Sequence, residues 1–184
     1  MKKLFLLLSL LVGFTKISAQ NPSVAQQDSA FVRENYVKYQ YQISMRDGVK
    51  LFTNVYVPKD ASANNKYPIV MQRTCYDVAP YGKDDYPQML YYSRHMMREK
   101  FIFVEQDVRG RWMSEGVFED IRPYIPNNKS GQVDEATDTY DAIDWMVKNV
   151  NNNKFSLINQ DLPKGVYILK IHSRKLFTAK LIVK

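Results

Sequence analysis

Apolar and polar residues alternate through "YVKYQYQISMRDGVKLFTNVYVP", residues 36–58, with a break at Arg46-Asp47-Gly48. Alternation with period two puts one set of side chains on one face of a strand. Asp-Gly between two such β-branched and aromatic runs predicts a β-hairpin, which Pro58 closes. "YPIVMQRT" (67–74) and "FIFVEQD" (101–107) are short apolar runs and predict strands that lie inside a sheet. Between them, "QMLYYSRHMMREK" (88–100) predicts a helix that offers Met89, Leu90, Met96 and Met97 to a core. "VDEATDTYDAIDWMVKNV" (133–150) carries the clearest helical period. Its Ala136, Tyr140, Ile143, Val147 and Val150 form a single apolar row. Acids crowd its first turn and Lys148 sits in its last, as the helix dipole favours.

The order is hairpin, strand, helix, strand, helix. Strands alternating with helices predict an α/β fold with a mostly parallel sheet and crossover helices. Such a sheet is expected to continue with another strand after residue 150. The chain turns instead to "NNNKFSLINQDLPKGVYILKIHSRKLFTAKLIVK". Val166–Ile171 and Leu176–Val183 are again strand-like, but only "HSRK" joins them. A turn that short suits antiparallel strands and not parallel ones. The expectation is therefore an incomplete α/β sheet over residues 36–153, followed by a short β-hairpin tail within 154–184. Residues 20–35 are polar and expected to be loose.

The first nineteen residues stand apart. "MKKLFLLLSLLVGFTKISA" has a basic start, an apolar run from Leu4 to Phe14, and the small pair Ser18-Ala19. This is the pattern of a secretory signal peptide cleaved after Ala19. The run is too short to span a bilayer, which takes roughly 20 residues. An exported protein that is secreted or held at the cell surface is expected, with no stable membrane span.

The formal net charge of +7 misleads as a whole. Lys2, Lys3 and Lys16 leave with the signal peptide. Residues 154–184 carry seven basic residues against Asp161 alone, so residues 20–153 are slightly acidic. The basic residues are spread along strand-like sequence and form no compact patch with stacking aromatics, which argues against nucleic-acid binding. The single cysteine, Cys75, excludes an internal disulfide. With only His95 and His172, no Cys/His cluster exists for zinc. No cofactor is expected.

"MRDGVKLFTNVYVP", "PIVMQRTCY", "FVEQDVRGRWMSEG" and the acidic helix ending in "DAIDWMVKNV" carry a resemblance. Over residues 36–153 the chain resembles the first part of the cocaine esterase / Xaa-Pro dipeptidyl-peptidase family of α/β-hydrolases, which includes the α-amino-acid ester hydrolases. It departs from the family's common pattern at Cys75, often proline, and at Trp112, often glycine. The tail, "INQDLPKGVYILKI" followed by "AKLIVK", resembles the end of a type IX secretion system sorting signal. That second resemblance implies the type IX secretion machinery as a partner.

Ser114 lies on a turn after a strand, where an α/β-hydrolase could hold a nucleophile. A nucleophile elbow reads G-x-S-x-G, because its strained turn leaves no room for side chains. Ser114 has Gly116 after it but Trp112 before it. A serine that hydrogen-bonds its own loop is the expectation. No other serine is bracketed by glycines at that spacing. In the family the nucleophile comes one helix and one strand after this turn, and the acid and histidine of the triad later still. His95 and His172 occupy neither place and are expected to be structural.

Cys75 has no neighbouring base in the sequence and is expected to be a small buried thiol. Arg109 and Arg111 could hold an anion, but Arg109 with Asp107 is expected to tie down the turn. Tyr76 matches the family's tyrosine after the third strand. The resemblance implies that its hydroxyl helps form an oxyanion hole, beside a backbone N–H next to the nucleophile. A tyrosine at a loop edge also serves as amphipathic packing, and both readings stand at this level.

The functional expectation is a shortened, inactive member of a secreted serine hydrolase family. The parent reaction would be acyl transfer from an ester or amide to water. The alternative is a non-catalytic secreted or surface binding module. The sheet edge left by the missing strands is expected to promote self-association.

Overall fold

The computed structural model describes residues 21–150 apart from Tyr92, Ile121 and Ser130, together with the backbone of two strands, Gly165–Ile171 and Phe177–Val183. The expected signal peptide, His172 and the rest of the tail lie outside the described residues.

The hairpin forms as expected. Strand β1 (Tyr36–Ser44) pairs antiparallel with β2 (Lys50–Pro58) over its full length. Gly48, at φ +85°, takes the left-handed turn position that favours glycine. Strand β3 (Ile69–Thr74) and β4 (Ile102–Asp107) pair in parallel, and β4 also pairs antiparallel with β2. The sheet order is β1-β2-β4-β3. The sheet is therefore mixed, where the alternation of strands and helices predicted a mostly parallel one. The hairpin sets the direction of β2, and β4 inserts between β2 and β3, so one pairing of the three is parallel.

Residues 20–35, expected to be loose, contain helix α1 (Val24–Asn35). Ser23 caps it reciprocally with Gln26. Its buried Asp28 accepts a bidentate ion pair from Arg94 and a weaker one from Arg98. The helix thus depends on a charge 66 residues away that no local period announces.

The helix expected over 88–100 is a single short turn, α2 (Arg94–Arg98), started by Ser93. Tyr91, at φ +48°, stops the chain from entering a helix earlier. The core contribution is nonetheless as read. Leu90 and Met97 are fully buried, and Met89 and Met96 pack against them.

Helix α3 (Glu135–Asn149) forms where expected, capped by Asp134. Of its apolar row only Val150, at the C-terminal cap, is buried. Thr137, Asp138, Ala142 and Met146 turn inward, while Tyr140 and Ile143 remain 65% and 38% exposed. Asp138 is drawn in by buried Arg109, and that ion pair sets the helix's rotation.

The sheet thus sits between two layers. On one face α1, α2 and the segment before α2 cover Tyr36, Tyr56 and Phe103. On the other, α3 covers Val55, Ile102 and Val104 near one end and Ile43 and Leu51 near the other. In the tail, β5 (Gly165–Ile171) and β6 (Phe177–Val183) pair antiparallel with each other, as the short turn predicted.

Candidate active site

The candidate site lies at the C-terminal ends of the parallel pair β3 and β4. The pairing runs past the strands, with the Val108 N–H donating to the Thr74 carbonyl at 3.1 Å. Two side chains from the turn after β4 then seize the loop after β3. Arg111 Nε and the Trp112 indole N–H both donate to the Cys75 carbonyl, at 3.0 and 3.1 Å. The next residue, Tyr76, has its own N–H held by Thr74 Oγ1. Its side chain stands 79% exposed above this braced backbone. Cys75 is a half-buried free thiol whose carbonyl, not its sulfur, is put to use.

The turn after β4 is built on left-handed backbone. Gly110 has φ +70°, and a Cβ there would meet the Phe118 backbone nitrogen at 2.0 Å. Trp112 itself has φ +49°. That accounts for glycine being common at this place in the family pattern, because a side chain in this region costs roughly 1–2 kcal/mol. Here the indole recovers part of that strain through its bond to Cys75.

Ser114 is a structural residue of the turn. Its hydroxyl donates to the Asp107 carbonyl at 2.7 Å and accepts from the Phe52 N–H at 2.8 Å. A nucleophilic serine must hand its proton to a base, and a peptide carbonyl is not one. His95 is exposed on α2 and makes no hydrogen bond to the turn among the described residues.

Arg109 does tie down the turn, but through partners other than the expected Asp107. Its guanidinium donates twice to Asp138 of α3, at 3.0 and 2.6 Å, and twice to Asp47 of the hairpin turn, at 2.7 and 3.2 Å. These carboxylates hold Arg109 firmly protonated despite its burial. Asp107 instead accepts from the Tyr81 hydroxyl and the Met113 N–H. Burial pushes its carboxyl up from the ordinary range, against the pull of those donors.

Two further groups were not legible as site residues. Lys38, on β1, is buried and donates to the carbonyls of Pro80, Gly82 and Asp85, which pins the loop after Tyr76 onto the sheet. Below that loop a cleft of about 170 Å³ opens between Gln72, Thr74, Asp77, Met89, Tyr91 and Glu105. Desolvation pushes the Glu105 carboxyl up to about 7, and Lys38 only partly offsets it. Among the described residues no group of three His, Cys, Asp or Glu side chains could hold a metal ion.

Residues 47–157 match the X-Pro dipeptidyl-peptidase (S15) family. The chain belongs to this family. Two solved structures are similar to this S15 chain. An aminopeptidase from the marine sediment archaeon Thaumarchaeota archaeon is 30% identical, with a TM-score of 0.55 over 74% of this chain and 22% of its own. An α-amino acid ester hydrolase, labelled with selenomethionine, is 34% identical, with a TM-score of 0.53 over 79% of this chain and 23% of its own. The S15 chain thus spans less than a quarter of each structure's length. No curated protein matches it.

Proposed function

We propose that this chain is an exported member of the S15 hydrolase family that carries the scaffold of the acyl-transfer site but does not hydrolyse esters or amides on its own. The observation that carries this reading is the commitment of Ser114. Its hydroxyl is spent on the Asp107 carbonyl and the Phe52 N–H, and among the described residues it hydrogen-bonds to no carboxylate or imidazole. The relatives' names point to ester and X-Pro peptide substrates, both attacked at an acyl carbon. Tyr76 is the group suited to such chemistry. It is a phenol O–H on a loop braced by Arg111 and Trp112, free to meet an oxyanion if a nucleophile were supplied. The signal peptide at 1–19 and the sorting-signal resemblance at 154–184 support export and engagement by the type IX secretion machinery.

The purified chain should leave p-nitrophenyl acetate, α-amino-acid esters and Gly-Pro-p-nitroanilide at the background rate of a denatured control. Turnover above that background, lost in Ser114→Ala, would overturn the reading. A non-catalytic binding module is the second reading. It rests on an open, mainly apolar groove of about 540 Å³ between Val49, Arg109, Val117, Arg122, Ile125 and Val133. Detection of a tightly held small molecule in that groove by native mass spectrometry would favour it.

A further inference from the structure

The segment 77–86 lies over one face of the sheet, and side chains of three strands hold it there. Asn54 of β2 donates to the carbonyl of buried Val78 at 2.7 Å. The Tyr81 ring packs edge-on against Phe52, 5.4 Å between centroids, and its hydroxyl donates to Asp107 of β4. Lys38 of β1 donates to the carbonyls of Pro80, Gly82 and Asp85. An ammonium carries three protons, so these three carbonyls take all that Lys38 can donate.

Beneath the segment the strand register sets four polar side chains in one row across the sheet, Gln40, Asn54, Glu105 and Gln72. Gln40 donates to Asn54, and Asn54 is engaged by the segment above. Glu105 borders the cleft of about 170 Å³ and, among the described residues, has no hydrogen-bond partner. Burial raises its carboxyl to about 7, so it changes charge near neutrality. Lys38 supplies the positive charge that faces it. Tyr56 of β2 and Tyr91 present phenols, Asp77 lines the same cleft from the segment above, and Asp107 stands two residues along β4.

A negative charge on Glu105 is relieved in one of two ways. Water reaches it when the segment lifts from the cleft, or Lys38 turns a proton toward it and drops a carbonyl. Both loosen the segment, and the like charge of Asp77 acts in the same direction.

We propose that 77–86 is a pH-gated lid, closed while Glu105 is protonated and opened by its ionisation, which uncovers the cleft and frees the backbone that follows Tyr76. The ties of this lid come from β1, β2 and β4, and the inference is independent of the hydrolase reading.

In the open lid Glu105 returns to its ordinary ionisation near 4.5. The closed lid is therefore most favoured below about 4.5 and loses ground as pH rises to about 7. Amide hydrogen exchange on the purified chain, with times scaled for the intrinsic rate at each pH, should show protection in 77–86 falling about tenfold per pH unit between about pH 5 and pH 7, then levelling. The opening is local, so about 1 M urea should leave exchange in the lid unchanged while it speeds exchange in β2 and β4. Glu105→Gln should hold the lid's protection constant over this range. Lys38→Met should leave the lid unprotected at both ends of it. A readout on the unaltered chain is trypsin cleavage after the exposed Lys83, which requires local opening. Relative to a short peptide substrate, that cut should be faster at pH 8 than at pH 6. Lid amides that exchange only together with β2 and β4, with the same urea dependence, would overturn the proposal. So would a pH response that survives in Glu105→Gln, a lid still protected in Lys38→Met, or a Lys83 cut indifferent to pH.

Discussion

Glu105 should make the stability of this protein depend on pH in a direction opposite to that of a paired carboxylate. Its side chain projects into the cleft beneath the loop after Tyr76, and desolvation raises its carboxyl from 4.5 to about 7. In the unfolded chain the group ionises near 4.5, so between the two values the folded state holds a proton that the unfolded state has lost. Stability from this group is therefore fully present below about 4.5 and declines as pH rises to about 7. Each pH unit in that window costs about 1.4 kcal/mol, so the total is about 3 kcal/mol. Glu105→Gln keeps the shape and removes the ionisation. The variant should equal the wild type at pH 4 and exceed it by about 3 kcal/mol at pH 8, a rise in Tm of roughly 10 °C. Thermal melts of both proteins across this range, taken as a difference, cancel the other titrating groups. An offset that is the same at pH 4 and pH 8 would refute the reasoning, because a pH-independent gain would be repacking and not relief of a buried charge.

Other expected outcomes follow from the turn and its ties. Arg109→Met, which leaves buried Asp138 with only the longer 3.8 Å ion pair to Arg73, should lose about 3 kcal/mol in urea unfolding, and Arg109→Lys should restore only part of it because the two-sided fork is gone. Gly110→Ala and Gly48→Ala both place a side chain at positive φ, yet only the first meets backbone. By chemical denaturation, Gly48→Ala should cost about 1 kcal/mol and Gly110→Ala markedly more. Ser114→Ala removes one donor and one acceptor from the turn and should destabilise by about 1–3 kcal/mol in the same assay.

The strands and the hairpin were legible because their periods are local. The Asp-Gly turn, the two apolar runs and the two-stranded tail pairing all appear as read. What escaped depends on contacts between distant residues. Helix α1 has few apolar residues and is fixed by the Asp28–Arg94 pair. The rotation of α3 departs from its apolar row because Arg109 pulls Asp138 inward. The same pair explains why Asp107 was the wrong partner for Arg109: closeness in sequence suggested it, while Asp138 and Asp47 take the guanidinium and Asp107 accepts from the Tyr81 hydroxyl and the Met113 N–H. At the site, Ser114 was legible as a turn residue from the missing glycine at position 112. The cleft around Glu105 and the three carbonyls gathered by Lys38 were not, since residues far apart in the chain assemble them.

The most direct measurement of the central claim is covalent labelling. The purified chain, incubated with a fluorophosphonate probe and mapped by peptide mass spectrometry, should carry no modified serine, with an active serine hydrolase as the positive control. A stoichiometric adduct on Ser114, or on any other serine, would contradict the account. It would show that a hydroxyl read here as structural or unactivated is a nucleophile.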